Sequence, residues 1–370
     1  MPEKTLKIAL VGAASLLGKA LNDELAISSF AAADLHLLDE EDEAGKLTSA
    51  ADEARIIQPI EADSFDRCDF TFFAGSPELT LKHWQQALRA GSRVVDLSGA
   101  LADKPGVLVR APWVQEESLT FSQSAPQATA PLATPDLQTR AVISAHPVAV
   151  LLAMFAIRGQ HVAPVGRMWA TLLQPASEYG HAALEELHQQ TTNLLSFQSL
   201  PTQVFGAQSA FNLAVSFGPG SRVDLFQASE AIRRQYAMIA PTLSAALALQ
   251  IVQVPVFHGY AISLGLEFDR TVSFAAVMQA LAGSHVRLVT EAGEFPGNVQ
   301  AVEETDVQVL VQPVDTTLPP AQTAGVAQAG KRDTARFWLW IIADNLKFAA
   351  QNAIACAVEL NRLRPRGIVQ

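Results

Sequence analysis

Two cysteines among 370 residues, Cys68 and Cys356, are too few and too far apart for a metal-ligand spacing or a disulfide framework. No metal site is therefore expected, and a reducing cytoplasm is the simplest compartment. Charge is sparse as well, at 17% of residues, and unbalanced: 26 basic against 37 acidic side chains leave a formal net charge of −11. That removes the electrostatic case for binding nucleic acid or an anionic membrane. No stretch approaches the ~20 apolar residues that cross a bilayer. No internal repeat is evident, which excludes solenoids and propellers. The lysine-bearing start and the apolar run from Leu6 to Leu17 imitate a signal peptide. The Gly-Ala-Ala-Ser break within that run, and Lys19, Asp23 and Glu24 directly after it, read instead as the first strand and helix of a folded protein. What is abundant is apolar: 49% of the chain, over a length that suits two domains with separate cores.

The first 150 residues alternate short β-rich runs with amphipathic segments. Lys7 to Val11, Leu35 to Leu38, Asp69 to Phe73, Val94-Val95 and Val142-Ile143 read as strands. Lys19 to Leu25 and Thr80 to Ala90 read as helices, the latter with Leu81, Trp84 and Leu88 on one face and Gly91 as its stop. This rhythm predicts a parallel sheet with helices on both faces. Leu119 to Pro135, rich in Ser, Ala, Gln, Thr and Pro, reads as loop. From about Gly166 the pattern changes. Met168 to Leu173, Ala261 to Phe268, Asp306 to Val314 and Phe337 to Ile342 read as strands; Ala182 to Leu195 and Ser229 to Ile251 read as helices, the second perturbed by Pro241. Longer strands with fewer crossovers predict a mixed or antiparallel sheet and an α+β second domain. A last helix, Ala343 to Leu363, carries a stripe of Leu346, Ala350, Ile354, Ala357 and Leu360.

The run Val11-Gly12-Ala13-Ala14-Ser15-Leu16-Leu17-Gly18 lies between a strand and a helix, where a dinucleotide pyrophosphate meets backbone N–H groups and the positive helix end. Its glycine spacing is G-x-x-x-x-x-G rather than G-x-G-x-x-G, so a tight turn that binds nothing is an equal reading. Asp39 closes the second strand, where a carboxylate accepts from a ribose 2′-hydroxyl and repels a 2′-phosphate; NAD is then expected over NADP. The other reading of Asp39 to Asp42 is a solvated acidic loop.

Seven segments taken together, VGAASLLGKAL, FFAGSPE, AGSRVVDLSGAL, ISAHPVAVLLAM, GAQSAFN, QVPVFHGY and WLWIIADNLKFAAQNAI, resemble the aspartate-semialdehyde dehydrogenases over nearly the whole chain. The resemblance is closer still to the Usg proteins, paralogues of that family. It implies an α/β fold with a Rossmann-type dinucleotide-binding domain (1–148 with 343–370) and an α+β dimerisation domain (149–342), the last helix returning to the first domain. It also implies a homodimer and an NAD or NADP cofactor held by Gly12, Ala14, Ser15, Leu16, Asp39, Gly75, Ser76 and Asn345. In the active enzymes, an aspartyl phosphate is reduced by NADPH through a thiohemiacetal and an acyl-thioester on cysteine.

That chemistry needs a thiolate at a helix N-terminus. The family's Asn-Pro-Asn-Cys run corresponds here to His146-Pro147-Val148-Ala149, so Ala149 takes the nucleophile's place. Cys68 and Cys356 read as core residues. Tyr260 stands where the family has its acid/base histidine, and a phenol of pKa ~10 is a poor substitute. His258, two positions away, is expected on the same strand face as Tyr260. Gln253 replaces the arginine that clamps the substrate carboxylate, giving up a charge-assisted pair. The arginine expected after Asp96-Leu97-Ser98-Gly99 is also absent. Gln174 is retained, followed by Pro175, and Arg233 or Arg234 matches a phosphate-binding lysine.

Three functions are compatible with this residue set: a catalytically silent homologue; an oxidoreductase working by direct hydride transfer, with Tyr260, His258, His146 and Glu178 supplying protons; or a scaffolding partner of a true dehydrogenase. The apolar stretches Phe211 to Phe217 and Val252 to Phe257 are readable either as core or as interface.

Overall fold

The computed structural model describes residues 5–50, 53–124, 133–290, 294, 296–302, 304–314 and 333–363. The chain divides into two units, one made of Met1–Glu116, Pro131–Val150 and Leu346–Gln370, the other of Glu117–Ala130 and Leu151–Asn345.

The first unit opens on β1 (Lys7–Val11), whose last four residues are all buried. Burial on both faces is what a central parallel strand requires. There follow α1 (Leu16–Ala26), β2 (Asp34–Asp39), a hairpin of β3 (Leu47–Ala50) and β4 (Glu53–Ile56), and the short β5 (Gln58–Pro59). Then come β6 (Phe70–Phe73), α2 (Pro77–Arg89), β7 (Arg93–Asp96), β8 (Leu108–Arg110) and β9 (Ala141–Ser144), while α3 (Pro112–Ser124) and α4 (Pro147–Gln160) start in this unit and pass into the second at Glu117 and Leu151. Seven strands form a parallel sheet in the order β5-β2-β1-β6-β7-β9-β8. The chain leaves β1 toward β2 and later returns to its other side at β6, so the carboxyl ends of β1 and β6 form a topological switch point.

Leu81, expected on the buried stripe of α2, is 46% exposed; Leu79, Thr80 and Ala87 face the sheet instead, with Trp84 and Leu88 packed partly against it. The segment from Leu119, expected as loop, continues α3 as far as Ser124, while 125–132 lie outside the described residues.

The second unit contains β10 (Val165–Gln174), α5 (Gly180–Leu195), α6 (Leu225–Ile239), β11 (Leu247–Gln253), β12 (Tyr260–Val272), α7 (Phe274–Leu281), β13 (Val286–Leu288), α8 (Asn298–Ala301), β14 (Val307–Pro313) and β15 (Thr334–Ala343). Its six-stranded sheet runs β11-β10-β12-β15-β14-β13, antiparallel through the middle with a parallel pair at each edge. The helix expected over Ser229 to Ile251 stops at Ile239. Pro241, lacking an N–H, opens a 3₁₀ turn, and Leu247–Gln253 pairs with β10 from Met168↔Leu247 to Gln174↔Gln253.

The last helix, α9 (Asn345–Leu363), lays Ala350, Ala353, Ile354, Cys356, Ala357 and Leu360 into the same core cluster as Ile8, Leu10, Phe70 and Phe72 of the first unit. Together with Leu21 and Leu25 of α1 it covers one face of the seven-stranded sheet; α2 covers the other. Arg110, 1% exposed, pairs with Glu359, and Asn352 donates from Nδ2 to the Ser144 hydroxyl at 2.8 Å. Those buried polar anchors fix the register of α9 on β8 and β9. Among the described residues no helix is long and apolar enough to cross a membrane.

Candidate functional site

At the switch point of the first unit, Gly12 adopts φ +83°, and a Cβ there would fall on the backbone N and Cα of Gly75 and 2.9 Å from the Ala74 carbonyl carbon. A Cβ on Gly18 would run into the Gly12 carbonyl oxygen, and one on Gly75 would meet Leu79 Cδ2 at 2.7 Å. The three glycines thus permit the β1–α1 loop to press on the β6–α2 loop. Ser15 locks the contact: it caps α1 by accepting from the Gly18 N–H at 2.8 Å and donates to the Ala74 carbonyl at 2.8 Å. Ser76 caps α2 in the same way, accepting from the Leu79 N–H at 3.2 Å. In the first turn of α1, the N–H groups of Leu16 and Leu17 have no partner among the described residues, which is the donor pair a helix N-terminus offers to an anion.

Asp39 is 6% exposed and accepts from the Ala14 N–H at 2.8 Å and the Glu40 N–H at 2.9 Å. It is therefore a brace for the loop, not part of a solvated acidic run. Burial raises its carboxyl above the ordinary range, and the two backbone N–H groups oppose that rise. Asp96, fully buried at the end of β7, accepts from the Ser98 N–H at 2.8 Å, the Ser98 hydroxyl at 2.7 Å and the Leu101 N–H at 3.0 Å. The Ser98 hydroxyl oxygen also stands in hydrogen-bond contact with the Thr80 hydroxyl on α2 at 2.9 Å, a link that the spacing of these residues did not announce.

Beyond β9, His146 accepts the Val148 N–H on Nδ1 at 3.2 Å and so caps α4, which spends that imidazole nitrogen on the backbone. Ala149 sits in the first turn of α4, fully buried. Neither thiol stands in its place. Cys68 lies in the core with Phe65 and Leu79, and Cys356 lies on α9, its Sγ 3.7 Å from the Arg110 carbonyl oxygen. Burial pushes both thiols above their ordinary pKa.

In the second unit, Gln174 and Gln253 end β10 and β11 side by side. Gln174 donates from Nε2 to the Tyr179 phenol at 2.7 Å. Gln253, 1% exposed, donates from Nε2 to the carbonyls of Gln174 at 3.0 Å and Val254 at 3.2 Å. Tyr260, 1% exposed, donates to the Glu178 carboxylate. Burial, and then the Glu178 charge, raise the Tyr260 phenol well above its ordinary range, so it stays protonated near neutral pH. Tyr179 is shifted upward for the same two reasons. His258 is not on the strand where it was expected: β12 begins at Tyr260, and Gly259 turns the chain at φ +85°.

Asn345, 3% exposed, accepts from the Gly259 N–H at 3.0 Å and donates to the Ser177 hydroxyl at 3.0 Å. It ties the start of α9 to the turns after β10 and β11. Arg233 points outward and pairs with Glu230 on its own helix at 2.5 Å. Ser177 and Tyr179, partners of Asn345 and Gln174, were not singled out from the sequence; the only hint was their position in the PASEYG run directly after Gln174. No cluster of His, Cys, Asp and Glu able to hold a metal occurs among the described residues.

Residues 7–145 match the semialdehyde dehydrogenase NAD-binding domain, and residues 156–318 match the semialdehyde dehydrogenase dimerisation domain. A USG-1 protein homolog of Pseudomonas aeruginosa is 31% identical over 359 residues, covering 94% of this chain and 96% of that protein. An aspartate-semialdehyde dehydrogenase of Synechocystis sp. is 24% identical, covering 95% of this chain and 96% of its own length. Among solved structures, aspartate semialdehyde dehydrogenase II of Vibrio cholerae superposes with a TM-score of 0.77 at 21% identity, covering 97% of this chain and 99% of that one, a likeness of fold.

Proposed function

This chain belongs to the semialdehyde dehydrogenase family, and within it we propose a homologue without semialdehyde dehydrogenase turnover, one that holds a dinucleotide and works as a homodimer. The observation that carries the reading is Ala149, a methyl group in the first turn of α4 where the family's chemistry requires a thiolate. Cys68 and Cys356 do not replace it, since buried thiols with raised pKa values form little thiolate. Tyr260 keeps its proton, and Gln253 carries no charge to clamp a carboxylate. Losing one member of a catalytic unit commonly costs ~10⁴–10⁶ in kcat, and three positions differ here.

The first unit supports a dinucleotide. Gly12, bare of a Cβ, lets the β1–α1 loop press against Gly75, and the Leu16 and Leu17 N–H groups are placed for a pyrophosphate at the switch point. Asp39, at the end of β2, has lone pairs left for a ribose hydroxyl and repels a 2′-phosphate, which favours NAD over NADP. When bound, the nicotinamide would supply hydride chemistry; this chain's residues bind and orient it.

Homodimerisation through the second unit is supported by its match to the dimerisation domain and by apolar side chains left in solvent, among them Phe197 at 99%, Phe211 at 66% and Leu213 at 67% exposure. The alternative of direct hydride transfer finds less support, because the His146 Nδ1 is spent on the α4 cap and the Tyr260 phenol holds its proton. The test is phosphate-dependent reduction of NAD or NADP with aspartate semialdehyde, run beside calorimetric titration of each nucleotide. No turnover is expected, together with saturable NAD binding that Asp39→Ala weakens.

A further inference from the structure

The Gln253 amide is held in one orientation. Both of its N–H bonds are committed to carbonyls, of Gln174 and Val254, so exchanging Oε1 and Nε2 would set oxygen against two oxygens. Its Oε1 is consequently fixed as an acceptor, buried, and without a partner among the described residues. Buried acceptors are matched in nearly all native proteins, so one held in place unmatched is a feature to be explained.

The side chains networked around it are amides, phenols and hydroxyls: Gln174 to Tyr179, Tyr260 to Glu178, and Ser177 to Asn345. Of the side chains just named, Glu178 alone carries a formal charge. Such a set repels a carboxylate or phosphate and favours a group that brings protons.

We propose that the ligand of this cluster presents a hydrogen-bond donor, an amide, ammonium or hydroxyl group, to Gln253 Oε1, and that the subsite takes this donor in place of a carboxylate. The proposal rests on reading the cluster as a ligand site and is independent of the absence of turnover. A ligand N–H or O–H would satisfy the buried, unmatched Gln253 Oε1, while a carboxylate oxygen would face it with like partial charge.

The test uses two four-carbon probes of equal length, succinamide and succinate, titrated by calorimetry into the full chain. Succinamide is expected to bind about tenfold or more tightly than succinate, the gap between a matched and an unmatched buried acceptor. Gln253→Leu removes the acceptor and should abolish the preference. Gln253→Arg, whose guanidinium still has donors for both carbonyls, should reverse it toward succinate; this variant carries the test if the leucine variant does not fold. Equal or tighter binding of succinate to the unaltered protein, or binding of neither probe, overturns the proposal and leaves Oε1 to a buried water. None of these results bears on turnover, which is read separately with aspartate semialdehyde.

Discussion

Replacing Gly12 with alanine tests the packing on which the nucleotide site depends. At φ +83° an added Cβ costs about 1–2 kcal/mol from backbone conformation alone. It would also land on the Gly75 backbone and lie 2.9 Å from the Ala74 carbonyl carbon. The β6–α2 loop must then retreat, opening the 2.8 Å bond from Ser15 to the Ala74 carbonyl. Overpacking contributes about 1–3 kcal/mol and the lost hydrogen bond about 1 kcal/mol, for a total near 3–6 kcal/mol. Gly45→Ala is the matched control: Gly45 has the same φ of +83° with nothing within 4 Å of an added Cβ, so it carries the conformational cost alone. Urea denaturation of both variants, with hydrogen exchange at the Ser15 and Gly18 amides, reads the difference. Gly12→Ala should fall about 2–4 kcal/mol below Gly45→Ala and expose those amides. Equal losses with unchanged exchange would refute the tight loop-on-loop contact.

Three further outcomes follow from the same geometry. Burial raises the Asp39 carboxyl above its unfolded value of 3.8, so the folded state holds that proton more tightly; its contribution to stability is full below about pH 4 and is lost as pH rises through the folded value. The stability of the unaltered protein minus that of Asp39→Asn should therefore decline as pH rises from about 4 and then level off; a difference that grows with pH in a denaturation series would contradict this. Ellman's reagent should find no reactive thiol in the native protein and two in denaturant, because Cys68 and Cys356 are both buried; rapid native labelling of either would count against a core position. Phe211→Asp combined with Leu213→Asp should convert a dimer into a monomer by light scattering, whereas an unchanged mass would move the interface elsewhere.

Most of the parallel sheet was legible because its strands are short apolar runs punctuated by glycine and helical pattern, as at Phe70–Phe73 before Gly75. The misreadings share a physical cause. Leu247–Gln253 follows a stretch rich in alanine and leucine and resembles helix locally; what makes it a strand is a parallel edge against β10, a long-range pairing that local propensity does not encode. Leu81 falls on the expected period of α2 but faces solvent, because Ser76 sets the start of the helix and turns Leu79 and Ala87 inward. At the site, the residue types at 149, 253 and 260 were readable directly. Their partners were not: Tyr179, Ser177 and Thr80 meet Gln174, Asn345 and Ser98 only through the folding of separate elements. Asp39 shows a further limit, since a carboxylate ending a strand looks the same in sequence whether it faces a ribose or braces the Ala14 N–H.

The most direct test of the account is steady-state reduction of NAD and NADP with aspartate semialdehyde and phosphate, followed by the absorbance of the reduced nicotinamide. With Ala149 in the first turn of α4, the rate should stay at the level of a protein-free blank. Saturable turnover that disappears in Tyr260→Phe or His258→Ala would contradict it.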